Sequence, residues 1–317
     1  MGGFIMNTGE IIRVYIEYRR SLGEKFKTNA TVLNGFCKHV GPNINLNSIT
    51  QCLIMDYLYS PTGSVTANWF CKYSALKGLF EWAISRGYVN GIPLPCDLPK
   101  RPGHITPYIY SEEELKSLFS FALTYQRNKS HINPYVIQTI LIVTYMLGLR
   151  IHETVSLRLK HIDLTESFAV ICESKFYKSR IVPFNGQVRI YLEAYLTWRT
   201  KYGHPQDPES ALFMDNRSRP INIDTIRTCF KRIREKAGIA RTDGAVYQPR
   251  LHDLRHTFAV NRLTAWYQEN EDVQNLLPLL STYMGHKHLA HTSVYLTMTA
   301  TLLKEACKRF EKFVDYE

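Results

Sequence analysis

Within residues 251–295, the Arg255 guanidinium, the His252 and His286 imidazoles and the Tyr295 phenol stand at spacings that suit attack on an anion. His252 and Arg255 are three apart, so on a helix they share one face and can point at one cluster of ligand oxygens. His286 follows Met284-Gly285, and Tyr295 comes nine residues later. A permanently charged guanidinium suits bidentate binding of a phosphate, and an imidazole can move protons near neutral pH. A phenol, with a reference pKa of about 10, becomes a nucleophile at neutral pH only beside cations or a base. Together these groups suit phosphoryl chemistry. The His252/Arg255 pair alone fits an ordinary surface contact just as well.

Further candidates lie upstream. Arg150 ends Leu147-Gly148-Leu149-Arg150 and stands where a helix over 150–157 would begin, so backbone amides and a guanidinium would converge on an anion there. Glu153, one turn on, would hold Arg150; the alternative is an exposed ion pair of little value. Residues 168–172 and 180–183 alternate as the strands of a hairpin in a small antiparallel sheet. Lys175, Lys178 and Arg180 crowd its tip, either as a solvated turn or to deliver an ammonium to a phosphate. A helix over 224–237 carries Arg227, Lys231 and Arg234 on a polar side that would face a DNA backbone or simply solvent.

The elements that must position these groups are mainly helices. Apolar spacing predicts helices over 10–22, from Thr28 or Asn29 to 40, over 49–59, and over 64–86, where an aromatic stripe including Trp69 and Phe80 reads as core. Residues 1–90 are therefore a small helical module. Prolines 93, 95, 99, 102 and 107 forbid a continuous element, so 91–107 is a linker, with Lys100 and Arg101 placed to lie along a phosphate backbone or in an inert tether. Ser111-Glu112-Glu113-Glu114 is a capping box that starts a helix to about 125. Pro134 opens the next, which the apolar run to 149 marks as buried. Helices over 186–202 and 301–313 complete residues 108–317, and the class is α+β, mainly α.

Composition narrows the partner. The chain has 317 residues, 45% hydrophobic and 21% charged, enough for two packed cores. Its formal net charge is +11. Through Lys100, ten Lys/Arg against six Asp/Glu give +4, which leaves +7 for the rest. Positive charge spread over both parts suits a body that grips a long polyanion, nucleic acid first. Seven cysteines without a Cys-x-x-Cys pair read as reduced thiols of a cytoplasmic protein. Neither a secretion signal, a lipidation site nor a membrane span is expected. His286, His288 and His291 lack a nearby cysteine or carboxylate to complete a zinc site, and no metal or other cofactor is expected.

Arg150 and Glu153 in Leu-Gly-Leu-Arg-x-x-Glu, a hairpin lysine, His-x-Leu-Arg-His-Thr at 252–257, Gly285-His286 and then Tyr295 make an ordered set. In that order the chain resembles the tyrosine recombinase/phage integrase family, in the subgroup carried by transposons and other mobile elements. The resemblance implies a helical, SAM-like core-binding domain followed by a catalytic domain with a C-terminal helix that often packs on a neighbouring protomer. It implies a site-specific recombinase working on double-stranded DNA as a tetramer, alone or with sister recombinases or accessory proteins. Tyr295 would form a 3′-phosphotyrosyl bond, and Arg150 and Arg255 would hold the non-bridging oxygens. Lys175, or failing it Lys178, would protonate the leaving 5′-oxygen. His252 would serve proton transfer, His286 would orient the phosphate, and Glu153 would brace Arg150. One departure stands out: residues 275–284 separate Val273-Gln274 from Gly285-His286, where simpler members join them almost at once. A topoisomerase would use similar chemistry, and a DNA-binding relative that no longer cuts would lack part of this set.

Overall fold

The computed structural model describes residues 6–103, 106–126, 130–172, 179–245 and 247–314. The chain divides into two compact units, Met1–His104 and Ile105–Glu317. As the sequence predicts, it is mainly helical with one small antiparallel sheet.

The first unit contains α1 (Thr8–Ser21), α2 (Lys27–Val40), α3 (Gln51–Tyr59) and α4 (Ala67–Ser85). Asn7 and Glu10 form a capping box on α1, while Thr50 and Thr66 cap α3 and α4 a little later than hydrophobic spacing suggests. The start of α2 differs from expectation. It begins at Lys27, ahead of Thr28 and Asn29, without a side-chain cap. Phe26 sets the entry instead, at φ 42, with its buried ring edge-on to Tyr15 at 5.6 Å. The aromatic stripe of α4 is core: Trp69, Leu76, Leu79 and Phe80 are buried among Ile11, Tyr15, Leu33 and Phe36.

The second unit opens with α5 (Glu112–Ala122), started by the Ser111/Glu114 capping box, and α6 (Pro134–Met146), whose face of Ile137, Ile140 and Leu141 is fully buried. A short α7 (Ile151–Val155) follows. Strands β1 (Ile162–Asp163), β2 (Phe168–Ile171) and β3 (Arg180–Pro183) pair in order, with Ala169 opposite Val182 and Ile171 opposite Arg180. Successive side chains point to opposite faces, so Ala169, Ile171 and Val182 go into the core. The hairpin turn, residues 173–178, lies outside the described residues, and Lys175 and Lys178 with it. Helices α8 (Gly186–Lys201) and α9 (Ile223–Lys236) cover the rest of this core.

A second core forms beneath α10 (Asp253–Gln268), α11 (Val273–Met284), the short α12 (Ala290–Ser293), a 3-10 turn (Val294–Thr297) and α13 (Ala300–Val314). The spacer at 275–284 is not a loop. Asp272 caps α11 through Gln274 and Asn275, and the helix runs unbroken to Gly285, which closes it at φ 67. Pro278 lies inside, but on the exposed side, while Leu277 and Leu280 are buried. Tyr295 and Leu302 are buried in the same cluster as Ala259, Leu263 and Met284. The last helix therefore packs its Leu302 onto its own chain here. Each fully buried Leu or Ile contributes roughly 1.5–3 kcal/mol, so this cluster ties the Tyr295 segment to α10 and α11 by packing.

Candidate active site

Four chain ends converge in the second unit: the α6–α7 junction, the start of β3, the first turn of α10 and the end of α11. Gly148, at φ 56, turns the chain from α6 towards α7. Arg150 then caps α7, its backbone N–H donating to Glu153 Oε2 at 3.0 Å. Its side chain donates to Glu153 Oε1 at 2.8 Å and to the Gly285 carbonyl at 3.0 Å. Arg255 is 1% exposed. It donates to the Gly148 carbonyl at 2.7 Å and to that of Met284, and it lies 3.9 Å from Glu153. Arg180 binds both oxygens of Glu153, at 3.0 and 2.8 Å, and the Tyr283 carbonyl at 2.8 Å.

Glu153 is thus the buried hub of three guanidiniums, not half of an exposed pair. Burial alone would raise its pKa, but Arg180 first and then Arg150 hold it down at about 2. For Arg255 the balance runs the other way: burial, and then the neighbouring Arg150, push it down to about 9. Three cations against one carboxylate leave the group short of negative charge. The carbonyls of Gly148, Tyr283, Met284 and Gly285 share the guanidinium protons and fix their planes. The arrangement can bind an anionic oxygen without prior rearrangement of its cations.

Beside the guanidiniums sits a neutral group. Tyr295 is 3% exposed and its phenol is hydrogen-bonded to His256 Nδ1 at 3.0 Å. His256 in turn meets His252 edge-on, with ring centroids 4.8 Å apart. His286 lies roughly parallel to the Tyr295 ring at 6.2 Å, and its Nδ1 is bonded to Thr292 Oγ1 at 2.7 Å. Burial raises the phenol's pKa above its usual value, against the pull of Arg255 and Arg150. Burial, reinforced by nearby guanidiniums and for His256 first by His252, lowers His252 to about 4 and His256 and His286 to about 3. His252 presents an exposed edge, so its shift counts for less than that of His256. All three imidazoles are neutral at pH 7 in the free chain.

The start of α10 is held from below. Buried Asp253 accepts from the Arg250 backbone at 2.8 Å and its guanidinium at 2.9 Å. Thr257 Oγ1 donates to the Asp253 carbonyl and accepts from the Tyr110 N–H at 3.1 Å.

Arg150, Arg255, His286, Tyr295 and Glu153 therefore meet. His252 stands beside them, but its partner is His256 rather than Arg255, because α10 begins only at Asp253 and Arg255 turns into the interior. His256 was missed as a functional candidate; its place four residues after His252, on the same helical face, is the signal that could have found it. Arg180, one of the cations expected at the hairpin tip, is drawn inward by Glu153 and retains 10% side-chain exposure. Arg234 is 12% exposed and donates to the Pro249 carbonyl at 3.0 Å. Arg227 and Lys231 are exposed, near Asp224 and Glu235. In the first unit Lys100 and Arg101 are exposed, with Arg101 4.9 Å above the Phe70 ring. Among the described residues, no three His, Cys, Asp or Glu side chains gather as a metal-ligand set, and no helix is long and apolar enough to cross a membrane.

The sequence profile of the phage integrase family matches residues 109–301. A putative integrase/recombinase of Sinorhizobium fredii, y4rB, is 32% identical over 308 residues, covering 96% of each chain. The tyrosine recombinase XerC of Oceanobacillus iheyensis is 30% identical over 239 residues, covering 74% of this chain and 71% of its own. Among solved structures, the Tn1549 transposon integrase in complex with a circular intermediate DNA shares the fold, with a TM-score of 0.68 at 15% identity, covering 96% of this chain and 99% of that one.

Proposed function

The chain belongs to the phage integrase family, and on that premise we propose that it cuts and rejoins double-stranded DNA at specific sites, with Tyr295 as the nucleophile. The enzyme is a tyrosine-type recombinase whose biological task is movement of a mobile element, and it works as a tetramer on paired DNA sites in the cytoplasm. One observation carries the reading: a buried phenol is hydrogen-bonded to an imidazole beside guanidiniums that are fixed and short of negative charge.

The roles follow from the chemistry. Arg150 and Arg255 bind the non-bridging oxygens of the scissile phosphate and stabilise the charge that builds on them in the transition state. Tyr295 Oη attacks phosphorus, a 3′-phosphotyrosyl bond forms, and the P–O5′ bond breaks. The departing 5′-oxygen takes a proton from Lys175, with Lys178 as the alternative donor. His286, held by Thr292, orients the phosphate, and His252 serves as a neutral hydrogen-bonding and proton-transfer group at its edge. Glu153 and Arg180 touch no substrate; they position Arg150. Exposed Arg227 and Lys231, and Lys100 and Arg101 of the first unit, contribute backbone contacts whose strength falls with salt.

The test begins with duplexes enriched for binding from a randomised pool, each then nicked so that cleavage is trapped. The protein should leave a covalent protein–DNA adduct on a denaturing gel, and Tyr295→Phe should bind the same duplexes and leave none. Tight binding without adduct on every nicked duplex would mean a DNA-binding relative that has lost cleavage.

A further inference from the structure

The Tyr295 phenol needs to lose a proton, and the role given to His252 at the phosphate edge does not say which group takes it. Among the described residues its hydrogen-bond partner is His256, through Nδ1 at 3.0 Å. His286 has its own Nδ1 committed to Thr292, and its ring lies roughly parallel to the phenol ring instead of meeting the hydroxyl. His252 contacts the His256 ring and not the phenol. Phenol and imidazole approach with ring centroids 5.6 Å apart at 56°, which leaves the Nδ1 lone pair facing Oη when the ring carries its proton at Nε2.

We propose that His256 Nδ1 accepts the phenolic proton of Tyr295 as the Oη–P bond forms, and returns it when the strand is rejoined. This rests on the reading of Tyr295 as nucleophile. The balance closes. The phenol proton moves to His256 while Oη bonds to phosphorus; the P–O5′ bond breaks, and the 5′-oxygen gains its proton from the general acid. Rejoining runs each transfer backwards.

The surroundings tie this transfer to substrate. His256 is faced by Arg255 on its own helix, by Arg250 and His252 just before it, and by His286 and Tyr295 from the segment after α11. Burial, and then His252, Arg250 and Arg255, disfavour the imidazolium, so in the free chain the proton stays on the phenol. A phosphodiester seated on Arg150 and Arg255 supplies the missing negative charge beside the same ring and makes it a better base. The nucleophile is therefore idle until the anion site is filled.

His256→Asn tests the proposal on the full chain, because an Asn carbonyl can keep the hydrogen bond to the phenol but cannot take its proton. On the nicked duplexes, single-turnover adduct formation at pH 7 should fall about 100-fold or more, with duplex affinity unchanged. The deficit should shrink as pH rises towards the titration of the phenol, since hydroxide then replaces the missing base. It should persist on a duplex with sulfur at the bridging 5′ position, whose leaving group needs no proton. His256→Gln, closer in volume, runs in parallel in case the Asn variant loses duplex binding through misfolding. Cleavage at the wild-type rate by either variant would overturn the proposal, and so would a deficit abolished by the bridging sulfur, which would assign His256 to the leaving group. An adduct formed by Tyr295→Phe has a different signature: it sinks the nucleophile reading, and this proposal with it.

Discussion

The two halves of the site solve opposite problems. Around Glu153 the side chains are charged, cross-linked and held by backbone carbonyls; around Tyr295 they are buried, neutral and joined by single hydrogen bonds. Charge at neutral pH is confined to the guanidiniums and their carboxylate, and the imidazoles and the phenol are kept uncharged mainly by burial. Their proximity couples them, because the cations that bind an anion also suppress protonation of the imidazoles. A site with one permanently charged half and one neutral half, both packed, can wait for its substrate without losing its geometry.

The sharpest way to break the contrast is to remove the hub. Glu153→Ala leaves Arg180 and Arg255 buried without their carboxylate, and breaking a buried pair from one side costs about 3–5 kcal/mol. Urea unfolding should record that loss, and adduct formation should fall because Arg150 is no longer held. A variant as stable as the wild type would mean that the carbonyls alone hold the guanidiniums. Gly148→Ala comes next. The left-handed backbone costs an L-residue about 1–2 kcal/mol, and the added Cβ would sit 2.3 Å from the Phe258 ring, an overpacking worth about 1–3 kcal/mol more. The penalty should shrink in a Phe258→Ala background. If it does not, the clash is not its cause.

Sequence legibility differs between the halves in a way that follows from their physics. Arg150, Arg255, His286 and Tyr295 can be picked out because their types and order are chemically unusual together, and α6 and the strands can be placed because their apolar residues mark a buried face. What the sequence left open was direction. Arg180 stands at the start of a strand and reads as a surface cation; only the approach of Tyr283, over a hundred residues later, turns it towards Glu153. The Arg150/Glu153 spacing was visible, its burial was not. His252 and Arg255 looked like partners until the helix start at Asp253 rotated one outward and the other inward, which gave His256 to the phenol. The longer spacing over 275–284 is plain in the sequence; that Asp272 and Gly285 make it one capped helix is not.

Acid titration should separate the halves. His256 and His286, at about 3, and His252, at about 4, lie below the usual 6.5, so the unfolded chain binds more protons between those values. Their contribution is whole above pH 6.5 and declines as pH falls towards 3–4. Glu153, at about 2 against an ordinary 4.5, contributes above pH 4.5 and loses its share as pH falls to 2. The unfolding free energy of the wild type from urea titration should therefore drop from pH 6.5 downward, by roughly 1 kcal/mol per pH unit for each of His256 and His286 and by less for the exposed His252. His256→Asn should lessen the fall between pH 6.5 and 3, where the other two rings still contribute, and leave the part of the Glu153 loss below pH 3 intact. Equal slopes for the two proteins above pH 4.5 would refute the neutral assignment of His256.

The smallest expected effect is the most specific. Thr292→Val keeps the volume of a fully buried side chain and removes the hydroxyl bonded to His286 Nδ1. A single hydrogen bond of this kind contributes about 0.5–1.5 kcal/mol, so the fold should lose little. Its consequence should appear in cleavage, because His286 would be free to turn away from the Tyr295 ring while the guanidiniums stay in place. Duplex affinity should therefore hold while the single-turnover rate falls several-fold. If affinity falls instead and the rate of bound complexes is unchanged, His286 belongs to the anion-binding half of the site, and the division between charged and neutral groups must be redrawn through it.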